Sequence, residues 1–278
     1  MACHQAPARS RTTPAHSSAR GRPETRPAGR RESRHCTRSS SWRRFCASLP
    51  YVGKPALRDR ASGSPIETLL LNYLAHLLLA ENDPLSRVGN LLGDFVAGRP
   101  ETLTQKLPLR VVQGIVRHRA IDRFADEHPV TARLKTLVAP ERRRFAGVIV
   151  DLVHDHFLTK QWDEHSSDPL AEFIDICNGA LRDHFELLPP FLADTLEERI
   201  ADDWLGHYGT DDGLDGVFYR VSLRNPAFLP IRSAIEDLQR HRGEFEAGFH
   251  EFFPELKTWV NSLGPETKVV IDRCAPPA

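Results

Sequence analysis

The chain is 278 residues long, with 37 Lys+Arg against 37 Asp+Glu and 40% hydrophobic residues, enough apolar material for one sizeable core. No apolar run of about 18 residues occurs, and the N-terminus lacks the hydrophobic segment of a secretory signal, so neither a membrane-spanning helix nor an exported protein is expected. The five cysteines include no CxxC pair, which argues against a disulfide framework or zinc cluster and for a reducing, cytoplasmic setting.

The zero net charge conceals two unlike parts. Residues 1–64 hold 14 Lys+Arg and 3 Asp+Glu, a net +11; subtracting these from the totals leaves 23 basic and 34 acidic residues, a net −11. The first part is rich in Arg, Ser and Pro with no sustained apolar period, so it is expected to be a disordered extension. It reads as an organelle transit peptide, a nucleic-acid-binding arm, or an extension without function whose start is assigned too far upstream.

From Pro65 onward the pattern is helical almost throughout. The predicted fold is all-α: one helical domain over residues 65–263 and a flexible tail over 264–278. Ile66–Ala80 is apolar nearly all round, the mark of a buried helix. Asp83 as N-cap and Pro84 at the first helical position start a second helix, which should run to about Ala97 and stop at Gly98. Further helices are predicted at Leu109–Ala125, Val130–Val138, Glu141–Trp162, Pro169–Leu187 (with Asp168 repeating the cap), Phe191–His207 and Leu214–Leu223. The last begins near Ile231 and is expected to break near Pro254.

Polar residues on apolar helix faces carry the functional signal. Asn72 and His76 are four apart within an apolar stripe. Asn90 and Asp94 repeat the spacing. Val111, Ile115, His118, Asp122 and Ala125 line one face, as do Val148, Asp151, Asp155, Leu158 and Trp162. His154 falls on the Asp151 side of its helix, and His156 with Ile149 and Leu152. A single such pair reads more simply as a hydrogen-bonded brace. Four helices turning His, Asp or Asn inward call for a cation, because buried carboxylates must be paired, metal-bound or neutralised. Imidazole and carboxylate ligands suit manganese, iron or zinc better than calcium.

Four runs, in this order and spacing, resemble one known family: Asn72-Tyr73-Leu74-Ala75-His76-Leu77, Gly89-Asn90-Leu91-Leu92-Gly93-Asp94-Phe95, His118-Arg119-Ala120-Ile121-Asp122 and Asp151-Leu152-Val153-His154-Asp155-His156-Phe157-Leu158. The chain is similar, over about Leu71 to Leu256, to the acyl carrier protein phosphodiesterases, a divergent branch of the HD-domain phosphohydrolases. The resemblance implies a manganese-dependent hydrolase that removes 4′-phosphopantetheine from holo acyl carrier protein. It implies Asp94, His118, Asp122 and Asp155 as metal-site residues. It places His76 close behind them and makes His156 a motif residue. His76 and His156 are the candidates for the general acid that the serine alkoxide leaving group needs, and Asp94 belongs with them in the catalytic set.

Such a substrate protein is acidic. Lys106–Arg144 holds ten Lys/Arg against four acids, a basic island on an otherwise acidic body. Arg119, Arg142, Arg143 and Arg144 are therefore the expected carrier-docking residues, the last three opening the helix of Asp151 where the macrodipole disfavours cations. Phe124 is the only aromatic in this stretch, which argues against a nucleic-acid platform. The rival readings are an HD-like phosphohydrolase acting on a nucleotide or other small phosphodiester, and a non-enzymatic helical adaptor. The oligomeric state is not readable.

Overall fold

The computed structural model describes residues 73–269 and Ile271. The expectations for residues 1–64, and the placement of Asn72, lie outside them. Ten α-helices of six residues or more follow one another among the described residues: α1 (Tyr73–Leu79), α2 (Pro84–Leu92), α3 (Leu109–Glu127), α4 (Pro129–Lys135), α5 (Ala146–Lys160), α6 (Leu170–Asp183), α7 (Pro190–Ala201), α8 (Asp211–Ser222), α9 (Ile235–Arg240) and α10 (Arg242–Ser262). Short 3-10 turns join several of them, and no strand occurs among the described residues. The all-α expectation holds.

At the centre lies α5, buried without a gap from Ile149 to Thr159. Its sequence is apolar on every side, so no face is left for solvent, and its polar residues Asp151, His154, Asp155 and His156 are enclosed with it. Against it pack α1, α4 and the phenylalanine face of α10 (Phe245, Phe249, Phe252, Phe253). The closest helix crossing is that of α2 on α3. A Cβ on Gly89 would stand 2.3 Å from the Val111 carbonyl oxygen, and one on Gly114 would stand 2.7 Å from that of Ser86. Only glycine permits this approach, and it brings the end of α2 beside the middle of α3.

Asp83 caps α2 as its sequence requires, its Oδ1 accepting from Ser86 N–H at 2.8 Å. Other boundaries differ from expectation. α2 stops at Leu92, where the Phe95 and Val96 N–H groups both fold back on the Leu92 carbonyl. Asp94 therefore stands in a turn rather than one helical turn beyond Asn90. Gly98, at φ 115°, ends the segment in a conformation that favours glycine. The helix expected from Glu141 begins at Ala146, because Pro140 opens a 3-10 segment, Pro140–Phe145, that carries the three arginines. The helix expected to Leu187 ends at Asp183, and the one expected to His207 ends at Ala201. Asp168 does not cap α6; its carbonyl instead accepts from Trp162 Nε1–H at 2.7 Å. Pro254 does not break α10, which keeps its buried aromatic face on the core while the proline itself is exposed.

The described residues Gly264–Val269, inside the stretch expected as a flexible tail, are tied to the helices; the rest of that stretch, Ile271 apart, lies outside the described residues. Glu266 is fully buried and accepts from Ser86 Oγ at 2.8 Å, Asn90 Nδ2 at 3.0 Å and Arg110 Nη1 at 2.6 Å.

Candidate metal centre and active site

The site is assembled from α1, α3 and the turn after α2. Both oxygens of Asp155, projecting from central α5, accept the N–H groups of Leu74 and Ala75 at 3.1 Å each. A carboxylate there satisfies two of the donors that a helix start leaves open, and it pins the helix that carries His76. Gly93 makes room for His118: a Cβ on it would lie 2.1 Å from His118 Cγ. His118 Nδ1–H donates to the Asn90 carbonyl at 2.7 Å, which turns Nε2 towards Asp94 Oδ1 and Asp122 Oδ2, both at 3.3 Å. His76 Nε2 stands 3.2 Å from Asp122 Oδ1, and the rings of His76 and His118 stack with centroids 3.8 Å apart. One ligand atom from each of His76, His118 and Asp122 lies within 4.8 Å of the other two.

Electrostatics at this corner are strong. Burial lowers the affinity of His118 for its proton, but Asp122 and Asp94 outweigh it and push its pKa up to about 10. Burial works to raise Asp122, yet the imidazoles of His118 and His76 hold it well below the usual carboxylate range. Burial, reinforced by His118, pushes His76 down, which leaves it neutral. Both His76 ring nitrogens are buried without a hydrogen-bond partner, the 3.2 Å approach to Asp122 notwithstanding. Imidazole nitrogens without partners beside partly buried carboxylates form the donor set of a divalent cation, so these residues fit one. His76, His118 and Asp122 would hold it, with Asp94 alongside.

The other expected site residues have partners of their own. Asp155 has both oxygens engaged by α1 and is outside the three-donor group; burial, aided by Asp151, raises it to about 7 against the pull of the two amides. His156 Nδ1–H donates to the Tyr208 carbonyl at 2.7 Å, and its Nε2 is 3.8 Å from Asp211 Oδ1. His154 stacks on Phe252, and burial depresses it to about 3. Arg119 spends its guanidinium on the carbonyls of Val96 and Gly98, bracing the turn that follows Asp94.

Arg142 is not on the surface. It is fully buried in a two-pronged pair with Asp237, Nε to Oδ2 at 2.6 Å and Nη2 to Oδ1 at 2.9 Å. A carboxylate 95 residues away claims it, which no local pattern announces. Arg143 and Arg144 are exposed, but Arg143 Nε donates to the Val138 carbonyl at 3.1 Å and Arg144 donates to the Ala227 carbonyl. Two supporting residues carry no local signal of their role: Gly93 is one glycine of a motif, and Glu266 lies beyond the last apolar period of the sequence.

The described chain is thus an all-helical protein with a buried His–His–Asp corner able to take a metal ion. Its residues 71–256 match the model of the family described as acyl carrier protein phosphodiesterase. It is 35% identical over 187 residues to the acyl carrier protein phosphodiesterase of Enterobacter sp. (strain 638), covering 67% of this chain and 95% of that protein. It is 33% identical over 187 residues, with the same coverage, to the proteins of that name from Escherichia coli O157:H7 and from strain K12 / DH10B. The chain belongs to the acyl carrier protein phosphodiesterase family. No solved structure gives a significant match, so the likeness to HD-domain folds stays one of motif.

Proposed function

We propose that the chain hydrolyses the phosphodiester that joins 4′-phosphopantetheine to the serine of holo acyl carrier protein. Water adds to phosphorus, the bond from phosphorus to the serine oxygen breaks, and that oxygen takes up a proton, giving apo carrier and free phosphopantetheine. The observation that carries the reading is the His76–His118–Asp122 corner, which falls wholly inside the stretch that matches the family.

A divalent cation, manganese as the family resemblance implies, would when bound polarise the phosphoryl oxygens and supply hydroxide near neutral pH. The chain's own groups prepare the corner. The Asn90 carbonyl fixes the His118 ring so that Nε2 faces the carboxylates, and Asp94 and Asp122 hold that ring from two sides. If His118 and Asp122 hold the cation with Asp94 in place of His76, neutral His76 is free to receive a proton and deliver it to the serine oxygen, a step that contributes about 10²–10⁴-fold. His156 is oriented towards Tyr208 and Asp211 and is the weaker candidate. Exposed Arg143 and Arg144, with half-buried Arg119, are what remain of the basic docking surface for an acidic carrier. A cytoplasmic setting belongs to the same reading, in keeping with Cys177, which is buried and free.

Intact mass of holo carrier protein after incubation with the chain and Mn²⁺ tests the reading. Loss of the phosphopantetheine mass supports it. A carrier unchanged after prolonged incubation with folded protein rejects it.

A further inference from the structure

With Arg142 committed to Asp237, positive charge for an anionic substrate must come from other arginines. Tyr73 opens α1 one turn before His76, so the two project from adjoining positions of one helix. Its ring packs on Trp204, centroids 5.2 Å apart, and on Phe95, centroids 6.3 Å apart, the residue that follows Asp94. The Trp204 N–H donates to the Arg199 carbonyl at 3.1 Å, which ties the end of α7 into the same packing.

Two features of this cluster are unresolved by the protein itself. Tyr73 is only 2% exposed, yet its hydroxyl has no hydrogen-bond partner. Arg199 is half-buried, and its Nε donates to Thr195 Oγ1 at 2.8 Å. Among the described residues no carboxylate stands within ion-pair distance of Arg199 or of exposed Arg220. Asp94, Arg224, Tyr208 and Arg199 all act electrostatically on the Tyr73 hydroxyl, and Arg199 in turn senses Arg224, Tyr208 and Arg220. Tyr73 and Arg199 thus belong to one packed cluster through Trp204, and the charges of Arg224 and Arg220 are felt within it. A partly desolvated guanidinium without counter-charge and a buried hydroxyl without partner both cost free energy in the empty protein. An anion bearing several acceptor oxygens relieves both.

We propose that Tyr73 and Arg199, in the positive field of Arg220 and Arg224, form an oxyanion subsite that receives the non-bridging oxygens of the substrate's phosphodiester. After cleavage the same groups hold the phosphate of the released product. The subsite rests on the phosphodiesterase reading of the metal corner. It also answers an electrostatic problem in that reading, since the carboxylates of Asp94 and Asp122 repel a phosphodiester unless positive charge meets it from another side. Arginines supply that charge together with directed donors.

Calorimetric titration of the full chain with inorganic phosphate, in chelator so that no cation contributes, measures the subsite apart from turnover. Wild type should bind phosphate, and Arg199→Met and Tyr73→Phe should bind about ten-fold more weakly, with Arg199→Lys between them. Tyr73→Phe should keep or raise the melting temperature, because it deletes a buried hydroxyl that has no partner, so weaker binding cannot be put down to unfolding. Absence of phosphate binding by the wild type, or unchanged binding by both folded variants, overturns the subsite. If phosphate behaves as expected while holo carrier keeps its phosphopantetheine, the subsite stands and the phosphodiesterase reading fails.

Discussion

Two of the clusters of buried charge among the described residues are built differently. Around Asp237 the bonding is complete: Arg142 meets its carboxylate through two nitrogens, Ala139 N–H adds a third donor at 3.3 Å, and Ser233 Oγ takes the remaining arm of the arginine at 3.0 Å. At the metal corner the carboxylates of Asp94 and Asp122 share the single Nε2 of His118, and both nitrogens of His76 lack hydrogen bonds. Buried charge alone does not mark a functional site. The distinguishing sign is bonding capacity that the protein leaves unused, which is costly in the folded state and retained where a ligand will use it.

The largest effect that would break this comparison belongs to the corner. Asp122→Ala should lower kcat/KM on holo carrier protein by about 10³-fold or more, the scale seen when a group the reaction needs is removed. Loss of the same size from a variant at Asp237, measured per folded molecule, would erase the distinction. Next comes stability at the satisfied cluster. Arg142→Met leaves Asp237 buried without its partner and should cost about 3–5 kcal/mol in chemical denaturation, whereas Arg142→Met with Asp237→Leu should recover most of it. Glu266→Gln keeps the shape of the C-terminal anchor but removes the charge that Arg110 meets, and should cost about 1–3 kcal/mol by the same measurement.

Smaller effects sharpen the picture. Asp155 carries a proton in the folded state up to about pH 7 but only to about 3.8 when unfolded. The folded state therefore binds more protons between those values, and this group's contribution to stability falls as pH rises through the window. Asp155→Asn should flatten that part of the stability–pH curve of the chelated protein. At the bottom of the scale, reversing the charges of Arg143 and Arg144 should change stability by about 0.5 kcal/mol or less. The same change should lower kcat/KM for the acidic carrier and remove its salt dependence, since surface charges chiefly steer encounter.

Much of the corner was legible before any coordinates. His118 and Asp122 share a helix face through simple 3.6-residue periodicity, and they do meet the same neighbours. His76 was marked by the apolar stripe around it. Asp94 was picked for a spacing from Asn90 that the structure does not keep, since α2 ends first; it reaches His118 because Gly93 lets the imidazole pass. Other residues were beyond local reading for one physical reason. Arg142, Asp155 and Glu266 are each defined by a partner about 80 or more residues away, and a helical repeat carries no information about which distant helix will cover a side chain. Local pattern marks Arg142 as a surface cation, and its tertiary partner Asp237 makes it a core residue.

The central claim is that the unsatisfied corner, and not the satisfied one, takes a divalent cation. Titration of the chelated full chain with Mn²⁺, following the free ion by electron paramagnetic resonance, tests it directly. The account predicts saturable binding in the wild type, retained by a folded Arg142→Met, Asp237→Leu double variant and abolished by Asp122→Asn. Saturable binding that Asp122→Asn leaves intact would contradict it.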